Sequence, residues 1–203
     1  MYTFDHELFL ALNFDGGPVV DRIMVLCSTP AAWAWLYILM LWLVWRRGGW
    51  RALLLFAAAA AAALGLADMV AGIFKHSGLL GGLWPSFPAR LRPMHTPELE
   101  GLVHAVRDGG RYGTVSAHAA TMTALCVTAI PAVRRRWFSA LILVATAVIC
   151  YSRIYLAYHF PVDIALGVVV GLLSGAAARL AAEAVRRKAC RSGATGSGDV
   201  PVP

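Results

Sequence analysis

Two histidines stand among a carboxylate, hydroxyls and arginines at spacings suited to phosphoryl chemistry. His159 and Asp163 are four residues apart, so in a helix whose first turn accepts Pro161 they share one face. A carboxylate behind an imidazole fixes one ring nitrogen as N–H and leaves the other able to attack. Taken alone, the pair also fits a structural His–Asp contact. Ser116 precedes an apolar run and reads as its N-cap, which turns the first amides and the positive end of the helix dipole toward an anion. His118 falls in that first turn, where an imidazole titrating near neutrality suits proton donation to a leaving oxygen. A neutral histidine packed between helices is the other reading. Lys75, Arg92 and Arg153 come from segment ends or the loop that joins them. Arginine forks match phosphate oxygens, and converging cations would neutralise a phosphoryl group in flight. Interfacial anchoring is the alternative for each.

The elements that must position these residues are apolar. Of 203 residues 59% are hydrophobic and 14% charged, against about 25% charged in soluble domains, which argues against a soluble globule. Five uncharged or nearly uncharged runs approach the ~20 residues that a bilayer core requires. They are Ile23 to Trp45, Leu53 to Phe74, Ser116 to Val133, Trp137 to about Ala157, and Val162 to about Ala182. Residues 75–115 form the one long, polar connection. Phe4, Leu8 and Leu12, with Phe9 and Phe14 beside them, predict an amphipathic helix within 4–14 on the outer surface. The fold class expected is all-α: an integral membrane bundle of about five transmembrane helices with that N-terminal helix. It forms a single domain over 1–191, with a disordered tail over 192–203.

The net charge of +7 is a topology signal. Arg46, Arg47 and Arg51, then Arg134 to Arg136, then Arg186, Arg187, Lys188 and Arg191 all fall on one side of a five-span chain, which the positive-inside rule makes cytoplasmic. The N-terminus, the 75–115 loop and the turn before His159 share the opposite side. So apolar a chain has no broad solvated basic face, so no nucleic-acid partner is expected. Cys27, Cys126, Cys150 and Cys190 lack metal or redox spacing and read as free thiols. Met1 to Glu7 carries acids and no basic residue, unlike a signal peptide.

Ser152-Arg153, five residues, His159, three residues and Asp163 together resemble the third signature of the type-2 phosphatidic acid phosphatase superfamily. Val115-Ser116-Ala117-His118 is similar to its Pro-Ser-Gly-His signature, with Ser and His kept. Arg92-Pro93 is similar to the end of the first signature, a lysine, six residues, then Arg-Pro. Lys75 lies ten residues earlier than that spacing, which reads as a loop insertion; Arg90 is the alternative for its role.

The resemblance implies His159 as nucleophile, Asp163 as its orienting partner and His118 as the proton donor. It implies Lys75, Arg92, Ser116, Ala117 and Arg153 as phosphate-holding positions, with no metal and no cofactor. The expected partners are a lipid phosphate substrate and the membrane; oligomeric state is not legible. The expected activity is hydrolysis of undecaprenyl diphosphate to the monophosphate on the outer face of a bacterial inner membrane. Phosphatidylglycerophosphate, phosphatidic acid and lipid A are the alternative substrates. Phosphotransfer to another acceptor is a second activity, and a small transporter or lipid-binding scaffold is the non-enzymatic reading.

Overall fold

A computed structural model describes residues 4–74, 83 and 90–195, with side chains as far as Lys188. Among the described residues its α-helical elements include α1 (Phe4–Leu12), α2 (Gly17–Cys27), α3 (Ala34–Ile73), α4 (Ala117–Val133), α5 (Arg136–Tyr155) and α6 (Pro161–Thr195). Lys75 and, apart from Leu83, the insertion expected after it lie outside the described residues.

The first expected span is divided. Ile23 to Cys27 belong to α2, and a 3-10 turn over Pro30–Trp33 leads into α3. Pro30 supplies the break, because proline lacks an amide N–H and restricts the residue before it; Thr29 is accordingly extended. The apolar span therefore starts at Pro30 and runs to Ile73. As one rod, the 40 residues of α3 would be ~60 Å long, about twice a hydrocarbon core. Gly49 prevents that. Its φ of 66° interrupts the helix, and glycine occupies that region without a Cβ clash. Trp33, Tyr37 and Met40 from one side of the break and Phe56, Ala60 and Leu64 from the other line one shared groove, so the arms fold back on each other. These two arms and α4 to α6 make the five apolar segments of an all-α membrane bundle.

Helix α4 lies at the centre. Ala63, Ala67 and Ala71 of α3 are fully buried against a cluster that includes Ala120 and Ala124 of α4. On the other flank, Gly167, Gly171 and Gly175 of α6 recur every four residues. A Cβ on Gly171 would stand 2.3 Å from the Ala120 carbonyl oxygen, and one on Gly167 2.6 Å from that of Ser116. Small residues admit close backbone approach where helices cannot rely on a hydrophobic driving force between them. The same approach brings the N-termini of α4 and α6 together: the Ser116 N–H donates to the Asp163 carbonyl at 3.1 Å.

The N-terminal helix ends at Leu12 and has two apolar faces. Phe4 and Leu8 point outward, whereas Phe9 is fully buried with Leu99, Ile154 and Phe160. Helix α6 continues to Thr195, so the segment expected to be tail from Ser192 begins as helix.

Candidate active site

The turn between α5 and α6 carries the central histidine. Ala157, at φ 55°, ends the α5 path, and the N–H groups of Tyr158 and His159 both return to the Arg153 carbonyl, at 3.0 and 3.2 Å. His159 is 4% exposed. Its Nδ1 faces Asp163 Oδ2 at 3.5 Å and the Gly113 carbonyl at 3.3 Å. Since both neighbours only accept, Nδ1 carries the proton and Nε2 the lone pair. Burial pushes the imidazole below its ordinary value of 6.5; Asp163 opposes that shift, and Arg153 and Arg92 add to it. The neutral, nucleophilic form is therefore favoured.

Asp163 is fully buried and its oxygens are divided between partners. Oδ2 accepts the Phe160 N–H at 3.0 Å as well as facing His159, and Oδ1 accepts from Arg90 Nη1 at 3.3 Å. Arg90 thus stands behind the His–Asp pair and is held there by Asp5 and Asp163. That placement is unlike the one expected of a stand-in for Lys75 on a phosphate.

Arg92 and Arg153 do line a common cleft of about 370 Å3, with Arg107, His118, Tyr158 and Ser28. The Tyr158 ring lies beneath both guanidiniums, 5.5 Å from Arg92 Cζ and 4.3 Å from Arg153 Cζ, where its π face offsets part of their mutual repulsion. Arg92 Nε donates to the Tyr112 carbonyl at 3.1 Å, and Arg153 Nη1 donates to Ser28 Oγ. Arg153 Nε is buried with no hydrogen-bond partner among the described residues. An orphaned guanidinium N–H is costly unless an anion completes it. Gly109 and Gly113 make room: a Cβ on Gly109 would lie 2.8 Å from Arg92 Nη1, and one on Gly113 3.2 Å from His159 Cε1.

Ser116 caps α4, its Oγ accepting the Ala119 N–H at 3.4 Å, and is fully buried. Ala117 and His118 form the first turn. Both also line an apolar groove of about 570 Å3 between α3 and α4, which shares Ser28, Pro30 and His118 with the polar cleft. A phosphate beside Arg92 and Arg153 and an apolar chain along α3 would meet at His118.

The structure thus gathers His159, Asp163, Arg92, Arg153, Ser116, Ala117 and His118 at one end of the bundle; Lys75 is outside the described residues. Sequence reasoning passed over Ser28, Tyr158 and Asp5. Tyr158 adjoins a signature histidine and was the most accessible of these, whereas Ser28 and Asp5 reach the site only through tertiary packing.

One end of this helical bundle thus carries a buried His–Asp pair, two arginines over one tyrosine ring and a helix N-terminus. The chain belongs to the PAP2 superfamily, which it matches over residues 76–187. It is 30% identical over 173 residues to the lipid A 4'-phosphatase of Bacteroides thetaiotaomicron, covering 84% of this chain and 73% of that protein. With the lipid A 4'-phosphatase of Porphyromonas gingivalis it shares 28% identity over 173 residues, 84% of this chain and 70% of the relative. The crystal structure of Aquifex aeolicus LpxE has the same fold, with a TM-score of 0.64 at 18% identity over 87% of this chain and 95% of that one. The chain is accordingly a lipid phosphatase, of a fold class that works without a metal.

Proposed function

We propose that the protein removes a phosphate from a lipid A-type saccharide lipid through a phosphohistidine on His159. The observation that carries this reading is the meeting of polar cleft and apolar groove at His118, which suits a phosphate attached to a membrane-anchored leaving group. His159 Nε2 attacks phosphorus while Asp163 holds Nδ1–H. Arg92 and Arg153, with Lys75 and the amides about Ser116, Ala117 and His118, take the charge on the equatorial oxygens. His118 protonates the departing oxygen and then draws a proton from the water that releases phosphate from His159. The relatives named lipid A 4'-phosphatases favour the saccharide lipid. Undecaprenyl diphosphate, the substrate expected from the sequence, shares the anionic head and apolar anchor and is the competing reading. The basic clusters at the opposite end of the bundle favour a site on the outer face of a bacterial inner membrane.

Purified protein in detergent, given lipid A, undecaprenyl diphosphate and phosphatidic acid in turn, is expected to release phosphate fastest from lipid A. His159→Ala should reduce the rate by roughly a thousandfold or more. Faster release from undecaprenyl diphosphate would reassign the substrate, and full activity in His159→Ala would remove the mechanism.

A further inference from the structure

The buried carboxylate behind His159 is not the end of the chain of charges. Arg90 Nη1 lies 3.3 Å from Asp163 Oδ1, and Arg90 Nη2 lies 2.5 Å from Asp5 Oδ2 on α1. Asp5 is 8% exposed, and its Oδ1 accepts the Val162 N–H at 3.1 Å, the residue beside Asp163. The Arg90 guanidinium sits 3.9 Å over the Phe160 ring, and its backbone is fixed by an N–H bond to Thr114 Oγ1 at 3.2 Å and by a bond from Gly113 N–H at 3.0 Å. Both Asp5 and Arg90 are thus held from several sides, in a row that passes from α1 through the long loop to α6.

We infer that Arg90 and Asp5 are positioning residues for the reaction, setting through Asp163 how strongly the His159 imidazole is held and how readily it becomes protonated. The inference rests on His159 being the nucleophile, as proposed above. The physical reasoning concerns a carboxylate shared between two cations. Asp163 favours protonated His159; the positive charge on its far oxygen moderates that pull, and Asp5 in turn moderates Arg90. Among the described residues, the other charged or titratable groups acting on this assembly are Arg92 and Arg153 from the cleft side, and His6 of α1, whose ring stacks on Phe160 at 5.0 Å. None of these lies between Arg90 and Asp163.

The row makes opposite demands of two substitutions. In Arg90→Gln the carboxylate acts on His159 unopposed, so protonation persists to higher pH. The acid limb of kcat/KM should move up by about 0.5–1 pH unit. In Asp5→Asn the arginine is no longer balanced and draws Asp163 away. That limb should move down, by roughly half as much, and kcat should fall more than KM changes. Asp5→Glu should bring the limb back toward its original place.

The experiment is a pH profile of phosphate release by the full chain and these variants with one substrate, so that ionisation of the substrate cancels in each comparison. Lower activity with an unmoved limb, or movement of both limbs in one direction, would leave these residues a merely structural role and overturn the inference. If Arg90→Gln does not fold, the Asp5→Asn and Asp5→Glu pair decides by the same criterion. Retained activity in His159→Ala counts against the parent mechanism instead, so the two failures are told apart.

Discussion

At the scale of single residues, the site depends on removing groups from water in a controlled way. His159 is buried beside an acceptor-only pair of oxygens, and burial is the largest cause of its lowered pKa. The sign has a direct consequence. A base whose pKa is depressed on folding stays neutral where the free imidazole would already be protonated. Corrected for the substrate's own ionisation, kcat/KM should therefore have an acid limb centred below pH 6.5, the ordinary value. As pH falls from that value toward the folded one, the unfolded chain takes up a proton that the folded chain does not, and stability declines across the same interval. A limb centred above 6.5 would show that Asp163 outweighs burial. Tyr158 illustrates what a residue's neighbours in sequence conceal. It adjoins His159 along the chain, yet its contribution is to the two arginines that its ring underlies.

At the scale of elements, the close approach of α6 to α4 determines whether the site exists. The stripe Gly167, Gly171, Gly175 places the α6 backbone against α4, and Asp163 then reaches both Ser116 and His159. Gly171→Ala should force the helices apart, since its Cβ would stand 2.3 Å from a backbone oxygen that cannot rotate away. The expected cost is ~1–3 kcal/mol, read as a lower midpoint of thermal unfolding in detergent; an unchanged midpoint would mean that the helices separate freely. The five apolar runs were legible because membrane spans need long uncharged stretches and little else. Their boundaries were less so. The interruption between Cys27 and Pro30 lies within a run that hydropathy alone joins, and it required the backbone consequences of Pro30 to be weighed against apolarity.

At the scale of the whole molecule, the distribution of charge and the location of the site can be tested together. Arg46, Arg47, Arg134 and Arg135 line one cleft at the end of the bundle away from His159, whereas Gly109 borders the cleft of Arg92 and Arg153. If the basic end is cytoplasmic, a cysteine at the exposed neighbour of Gly109 in that cleft, Asp108→Cys, should react in intact cells with a membrane-impermeant thiol reagent. Protection of that thiol in intact cells, with labelling after lysis, would reverse the proposed orientation. The apolar groove beside His118 extends the same polarity inward, from charged end to lipid-facing helices.

The sequence alone determined the helical membrane architecture and the signature residues His118, Arg153, His159 and Asp163, because hydrophobic run length and fixed local spacing are properties of the chain itself. It also carried the first-signature Arg92, but not what stands behind Asp163. Asp5 and Arg90 are 85 positions apart, and Arg90 and Asp163 are 73 apart. No periodicity links such residues. Only the docking of α1 and the long loop onto the α5–α6 turn brought their charges within contact, because burial leaves opposite charges few partners except one another.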